Sequence, residues 1–124
     1  MAYENIVKSF PFMAENDLSA TDNRFVKSGT TVNLVDLCGE GGQMIGIRRN
    51  SPAANRACEV ILPGSIAKLV VGTAGVSKGD FIKSGSAGEA VTATDRTIHG
   101  AIALEAGTSG KIISVLVCIG YASI

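Results

Sequence analysis

Short runs of apolar or alternating residues, separated by turn residues, make up the chain from residue 24 onward. Most of these runs end at Gly, Pro, Asn or Ser, which is typical of strands. Pro63 and Gly64 occupy the two central positions of a type II turn between neighbouring runs. No stretch has the period of a long helix. The predicted strands are residues 24–27, 31–37, 43–48, 57–62, 65–71, 80–83, 90–92, 98–104 and 111–119.

The number and spacing of these strands predict an all-β fold. Short strands at roughly 8–12-residue spacing are typical of a small barrel or sandwich. In the last strand, Ile113, Val115 and Val117 alternate with Ser114 and Leu116. Because successive side chains of a strand point to opposite faces, Leu116 faces away from the core. We expect Leu116 to meet a second apolar layer or another subunit.

Residues 1–23 have neither a two-residue nor a 3.6-residue apolar period. Pro11 fixes its own φ angle and pushes Phe10 towards an extended conformation. The interpretation is an extended N-terminal arm over residues 1–23, followed by a β-rich domain over residues 24–124. The arm has no pattern that would bury Tyr3, Phe10 and Phe12 in its own strands. We therefore expect these aromatic side chains to bind a neighbouring subunit.

The composition excludes some classes of function but does not assign one. The 124 residues are enough for one domain, and with 5% aromatic residues and no Trp the core must be aliphatic. The chain has eleven basic and eleven acidic residues, and therefore no excess of positive charge. Because binding of nucleic acid normally requires a basic surface, we expect no nucleic-acid partner. Neither a secretion signal nor an apolar run of about 20 residues is present, so we expect no membrane partner. Cys38, Cys58 and Cys118 lack CxxC spacing and are expected to be free thiols of a reducing cytoplasm.

One segment matches a catalytic motif. Residues 75–79 (GVSKG) fit the G-x-S-x-G nucleophile elbow, and Asp95 and His99 follow Ser77 in hydrolase order. An elbow requires a strand before the serine and a helix after it, whereas here a strand pattern follows. We therefore predict a turn, no catalytic residue and no enzyme activity.

Cofactor and metal sites are not expected either. His99 is the only histidine, and no further His or paired Cys stands at ligand spacing. The glycine-rich residues 39–42 open no helix and lack the G-x-G-x-x-G continuation of a phosphate-binding loop. The prediction is that the protein has no cofactor and no metal.

Four segments with a characteristic order and spacing stand along the chain. The first is the junction DLSATDNRFVK at residues 17–27, and the second is GIRRNSPAA at residues 46–54. The third is GSIAK at residues 64–68 followed by VSKGDFI at residues 76–82, and the fourth is GAIALEAGTSGKIISVLV at residues 100–117. Together they resemble the small decoration (cement) proteins that coat the heads of tailed phages. Arg48 and Arg49 make the second segment more basic than the family pattern.

The resemblance implies a homotrimeric virion protein, made in the host cell cytoplasm and attached to the outer capsid surface. It would bind the major capsid protein at local three-fold positions and stabilise the shell. The arm would lie over a partner. The protein as a whole would contact neither nucleic acid nor membrane. The residues expected to bind the partner are Tyr3, Phe10, Phe12, Leu18, Arg48 and Arg49.

A different class of function is a carbohydrate-binding module displayed on the virion for the host surface. Such modules use exposed Trp or Tyr platforms, and this chain has no Trp and only Tyr3 and Tyr121. The composition therefore favours capsid decoration over carbohydrate binding.

Overall fold

Ten β-strands form two sheets in the computed structural model, which describes residues 2–20, 22–40, 42–94 and 98–121. The all-β prediction is confirmed. The nine predicted strands are all present, with ends that differ from the prediction by at most three residues, and one further strand precedes them. The strands are β1 Ser9–Ala14, β2 Phe25–Ser28, β3 Leu34–Leu37, β4 Gly46–Arg48, β5 Ala57–Ile61, β6 Ile66–Val70, β7 Phe81–Ser84, β8 Ala90–Thr92, β9 Ile98–Ala103 and β10 Ile112–Tyr121.

The first five strands close into a barrel in the order β1-β3-β2-β4-β5. β1 closes it, because β1 runs antiparallel to β5 from Ser9 opposite Ile61 to Met13 opposite Ala57. On its other side, β1 pairs in parallel with β3 at Met13 and Ala14. Small and branched side chains fill the barrel interior: Ala14, Leu18, Val26, Val35, Cys58 and Val60.

The last five strands form an antiparallel sheet in the order β6-β10-β9-β7-β8. A parallel bridge between Val71 and Ala90 brings the end of β6 back towards β8, so the sheet curls around its own inner face. That inner face carries buried aliphatic side chains, including Leu69, Ile82 and Val115. We call this element the second sheet.

The barrel and the second sheet share one hydrophobic core. Phe25, Met44 and Ile47 belong to the same buried cluster as the inner face of the second sheet. β2 joins both interiors, because Phe25 points to the shared core and Val26 points into the barrel. The N–H of Phe25 also donates to the carbonyl oxygen of Gly88 at 2.9 Å. The two sheets therefore fold as one unit.

The N-terminal segment is part of this unit, which corrects the expectation of a separate arm over residues 1–23. β1 supplies the pairing that closes the barrel, and Asn5 exchanges two 2.9 Å backbone hydrogen bonds with Ile66 at the edge of β6. The N–H groups of Val7 and Lys8 both donate to Ser65 Oγ at 3.0 Å. The boundary predicted at residue 23 therefore does not separate two structural units among the described residues.

Pro11 fits into β1 because of the hydrogen-bond directions of its neighbours. The N–H of Ala14 points to the β5 side and donates to Arg56, whereas the N–H of Met13 points to the β3 side and donates to Asn33. By this alternation, the missing N–H of Pro11 falls on the β3 side. Pairing with β3 begins only at Met13, so the proline leaves no gap in the ladder.

We predict that deletion of residues 2–16 prevents cooperative folding. The deletion removes β1 and exposes the pairing edges of both β5 and β3, together with the apolar barrel interior. Circular dichroism with thermal unfolding should show loss of the cooperative transition. Deletion of residues 2–4 is the matched control, because it leaves the Asn5 bridge and β1 in place and should preserve the transition. A cooperative transition in the longer deletion would contradict the role given to β1.

Candidate partner-binding surfaces

The outer face of the second sheet carries an apolar row across four strands. Leu116 of β10 lies opposite Ile66 of β6 on one side and Ile102 of β9 on the other. Ile102 in turn lies opposite Phe81 of β7. All four side chains are partly exposed, so no second layer within the described part of the chain fully covers them. We call Ile66, Leu116, Ile102 and Phe81 the apolar row.

Further exposed apolar groups extend this face. Ile112 and Leu104 are 39% and 38% exposed beside the apolar row. The backbone N–H of Tyr3 donates to Ser114 Oγ on the same face, and the Tyr3 side chain is 60% exposed. The solvated face of an antiparallel sheet is normally polar, and a contiguous apolar patch marks an interaction site. The outer sheet face is therefore the first candidate surface.

The second candidate surface lies at one end of the barrel. Phe12 is opposite Cys58 and Phe10 is opposite Val60, so both rings point to the inner side of the barrel. Phe12 packs against the barrel interior, as does Leu62. Phe10 remains 52% exposed, with its ring centroid 5.0 Å from that of Phe12. We call Phe10, Phe12 and Leu62 the barrel mouth.

Two of the predicted partner-binding residues are buried within the chain, and this corrects the prediction for both. Leu18 is 3% exposed in the barrel interior, and its N–H donates to the carbonyl oxygen of Pro52 at 2.9 Å. Arg48 is fully buried because it alternates with Ile47 and so points into the barrel. Its Nη1 donates to Asn50 O and Ser51 Oγ, both at 3.1 Å. Burial lowers the pKa of the Arg48 guanidinium.

Arg49 is exposed and bound to two carboxylates of its own chain. Its Nε lies 3.3 Å from Glu4 Oε1, and its Nη1 lies 3.4 Å from Glu59 Oε1. Exposed ion pairs of this kind contribute at most about 1 kcal/mol, so Arg49 can exchange them for a partner's carboxylate. Of the predicted residues, Tyr3 thus lies on the outer sheet face, Phe10 and Phe12 lie at the barrel mouth, and Arg49 lies on the barrel flank.

Ser77 and His99, two of the three triad-like residues, lie far apart in the described structure. Ser77 lies in a loop that leads directly into β7, and its N–H donates to Asp80 Oδ2 at 2.9 Å. The N–H of Gly79 donates to Ala103 at the end of β9, four residues from His99. At about 3.3 Å per strand residue, His99 is about 13 Å along the sheet from this loop. Asp95 lies outside the described residues.

A shallow hollow of about 380 Å³ lies beside the Ser77 loop. Among the described residues, Asp80 is its only charged lining residue, and Asp80 Oδ2 also accepts a 3.0 Å hydrogen bond from Thr92 Oγ1. The described lining contains no aromatic side chain: it consists of Ala74, Gly75, Val76, Ser77, Asp80, Thr92, Gly107 and Thr108. These residues therefore provide no stacking platform of the kind typical of a carbohydrate site.

Residues 2–20, 22–40, 42–94 and 98–121 contain no group of three or more His, Cys, Asp or Glu side chains placed to hold a metal ion. Nor do these ranges contain a helix long and apolar enough to cross a membrane.

His99 is a buried titratable group on the outer side of the second sheet. It is 5% exposed, its ring centroid lies 4.6 Å from that of Phe81, and Nε2 lies 3.9 Å from Cys118 Sγ. Burial lowers the pKa of the His99 imidazole below its usual 6.5, because the charged form loses its hydration.

Comparison with known proteins gives a match at the level of fold. No protein-family model matches the sequence, and no curated protein matches it. The crystal structure of the N base of head fiber gp8.5 in bacteriophage phi29 is similar, with a TM-score of 0.69 and 16% sequence identity. The match covers 90% of this chain and 93% of that chain. The two chains share the fold over nearly their whole lengths.

We predict that the free energy of unfolding falls as the pH drops below 6.5. The unfolded chain binds a proton at the usual histidine pKa, whereas folded His99 takes it up only at lower pH, so acid favours unfolding. Denaturant unfolding between pH 7.5 and 5 measures this loss. His99→Phe should flatten the dependence, since His99 is the only histidine.

The carboxylates provide an internal control for this experiment. The pKa values of Glu15, Asp17 and Glu105 are lowered by hydrogen bonds, so their stabilising effect is lost only below about pH 4.5. A wild-type unfolding free energy that is constant between pH 7.5 and 5 would contradict the burial of a neutral His99.

Proposed function

We propose that this chain is a structural protein of a tailed-phage head, which decorates the outside of the capsid and stabilises the shell. The observation that carries the proposal is the fold match, over 90% of the chain, to the base of a phage head fiber. The resemblance of four ordered segments to capsid decoration proteins supports it independently. The finer assignment, cementing at local three-fold positions, comes from that resemblance.

Three copies associate through the outer sheet face in this proposal. Burying a large apolar side chain stabilises a complex by about 1.5–3 kcal/mol, and each copy offers the four side chains of the apolar row. These side chains are already partly buried in the single chain, so each contributes less than the full amount. Association costs about 4–15 kcal/mol, which several such contacts together can offset. If the outer sheet faces of three copies surround a common three-fold axis, the oligomer is closed and no further copy can add.

The barrel mouth then binds the major capsid protein. Phe10 is held by β1 and Phe12, so little side-chain freedom is lost when a partner covers it. A single aromatic contact is weak, but a trimer presents three barrel mouths at once. After the first contact forms, the others bind at a high effective concentration. Modest contacts of this kind suit a protein that joins several shell subunits.

The alternative function, a virion-displayed carbohydrate binder, has less support. The residues described around the hollow beside Ser77 include no aromatic side chain, and the exposed rings of Tyr3 and Phe10 lie on different surfaces. In this proposal the protein has no catalytic activity, and the Ser77 loop serves as a connection between strands. Binding to a glycan panel, or ester hydrolysis abolished by Ser77→Ala, would contradict it.

We predict that the purified protein is a trimer and that Leu116→Asp makes it monomeric. A carboxylate in the apolar row would have to be desolvated in the assembly, which is unfavourable. Light scattering should give three times the 12.7 kDa chain mass for the wild type. Val32→Asp is the matched control, because Val32 is 94% exposed and outside the row. A wild type that stays monomeric at high concentration would exclude the trimer.

We predict that Phe10→Ser weakens attachment to expanded capsids but preserves the trimer. The substitution removes the most exposed ring of the barrel mouth and leaves the backbone pairing of β1 intact. Capsid occupancy and heat resistance should fall relative to wild type and to the surface control Val32→Ser. Equal occupancy of the three proteins would assign capsid binding to another surface.

A further inference from the structure

A cysteine and a histidine face each other at an irregularity in the second sheet. The pairing of β10 with β9 shifts register between Val117 and Gly120, and Cys118 lies in this bulge. Its Sγ is 3.9 Å from Nε2 of His99, which lies opposite Gly120. A Cβ atom at Gly120 would lie 3.2 Å from His99 Cε1 and 3.5 Å from Nε2. The glycine therefore leaves room for the ring beside Cys118.

The two side chains have the properties of metal ligands. His99 is 5% exposed, and the neutral imidazole is the form of histidine that binds metals. The Phe81 ring packs against it and limits its rotation. Cys118 is a free thiol that is only partly buried, whereas Cys38 and Cys58 are fully buried. Of the three thiols, Cys118 is thus the one that an ion can reach from the outer sheet face.

We propose that Cys118 Sγ and His99 Nε2 together bind one thiophilic divalent cation of the Zn²⁺ type. Zn–S and Zn–N bonds of about 2.3 and 2.0 Å at a tetrahedral angle place S and N about 3.5 Å apart. The observed 3.9 Å separation reaches this value with a small rotation of the Cys118 side chain. The thiol proton leaves to solvent as the S–metal bond forms, because the thiolate is the ligand.

The site is open and of moderate strength. Two protein ligands leave two tetrahedral positions for water on the outer sheet face, since no third ligand group stands nearby in the described ranges. His99 Nδ1 is buried without a hydrogen-bond partner in the described structure. A second-shell acceptor at this nitrogen normally strengthens metal binding about 10–100-fold, so we expect exchangeable rather than permanent metal.

Titration of the full-length protein with Co²⁺ and then Zn²⁺ tests the site. In a thiol-free reducing buffer, Co²⁺ should produce a sulfur-to-cobalt charge-transfer band that saturates at one equivalent, and Zn²⁺ should remove it. His99 is the only histidine, so its Cε1 proton gives a single assignable NMR signal. That signal should shift with Zn²⁺ to the same one-equivalent endpoint.

Single substitutions identify which side chains bind the metal. Cys118→Ser and His99→Phe should each abolish the band, and Cys58→Ala should retain it because that thiol is fully buried. If His99→Phe does not fold, the NMR titration and Cys118→Ser still decide the question. A band that survives Cys118→Ser, or a His99 signal that does not move at saturating Zn²⁺, overturns the proposal. The site lies on the outer sheet face, which also carries the proposed trimer contacts, so both readouts are recorded at protein concentrations at which light scattering shows the monomer.

Discussion

Closure of the barrel by β1 is the interaction on which the rest of the structure depends. β1 satisfies the backbone hydrogen bonds of β5 along five residue pairs and completes the ring at β3. With the ring closed, β2, β4 and β5 can turn one face inward and the other towards the second sheet. Ile47 and Ile61 then join the shared core, while Val60 and Cys58 fill the barrel. Without β1, the barrel interior would face solvent.

Closure also explains which polar groups become part of the interior. Arg48 follows Ile47 in β4, so alternation directs its guanidinium into the barrel, where Asn50 and Ser51 accept its hydrogen bonds. Ser51 Oγ in turn donates to Asp22. A buried charge requires such partners, because leaving it unpaired costs several kcal/mol. A basic residue that looks like a surface contact in the sequence is therefore a structural element of the barrel.

The two candidate surfaces lie on different parts of one folded unit. The apolar row belongs to the second sheet and the barrel mouth belongs to the barrel, and the shared core holds the two sheets together. A protein that must bind its own copies and a second partner at once needs two surfaces that do not compete. The row suits the first task because it is broad and apolar. The barrel mouth suits the second because one held ring protrudes.

The sequence by itself determined the all-β class, nine of the ten strands and the outward position of Leu116, because side-chain alternation and turn residues are local signals. It did not reveal β1, since the alternation of Phe10, Phe12 and Ala14 is short and contains a proline, and the strand is held mainly by backbone pairing with β5 and β3. Nor did the sequence reveal the pairing register of the strands. The apolar row forms only when the paired strands align Leu116 with Ile66, Ile102 and Phe81. Burial of Leu18 and Arg48, and the meeting of His99 with Cys118 across a bulge, likewise depend on contacts between residues distant in sequence. Tertiary structure decided these features because long-range pairing, not local propensity, sets which faces meet.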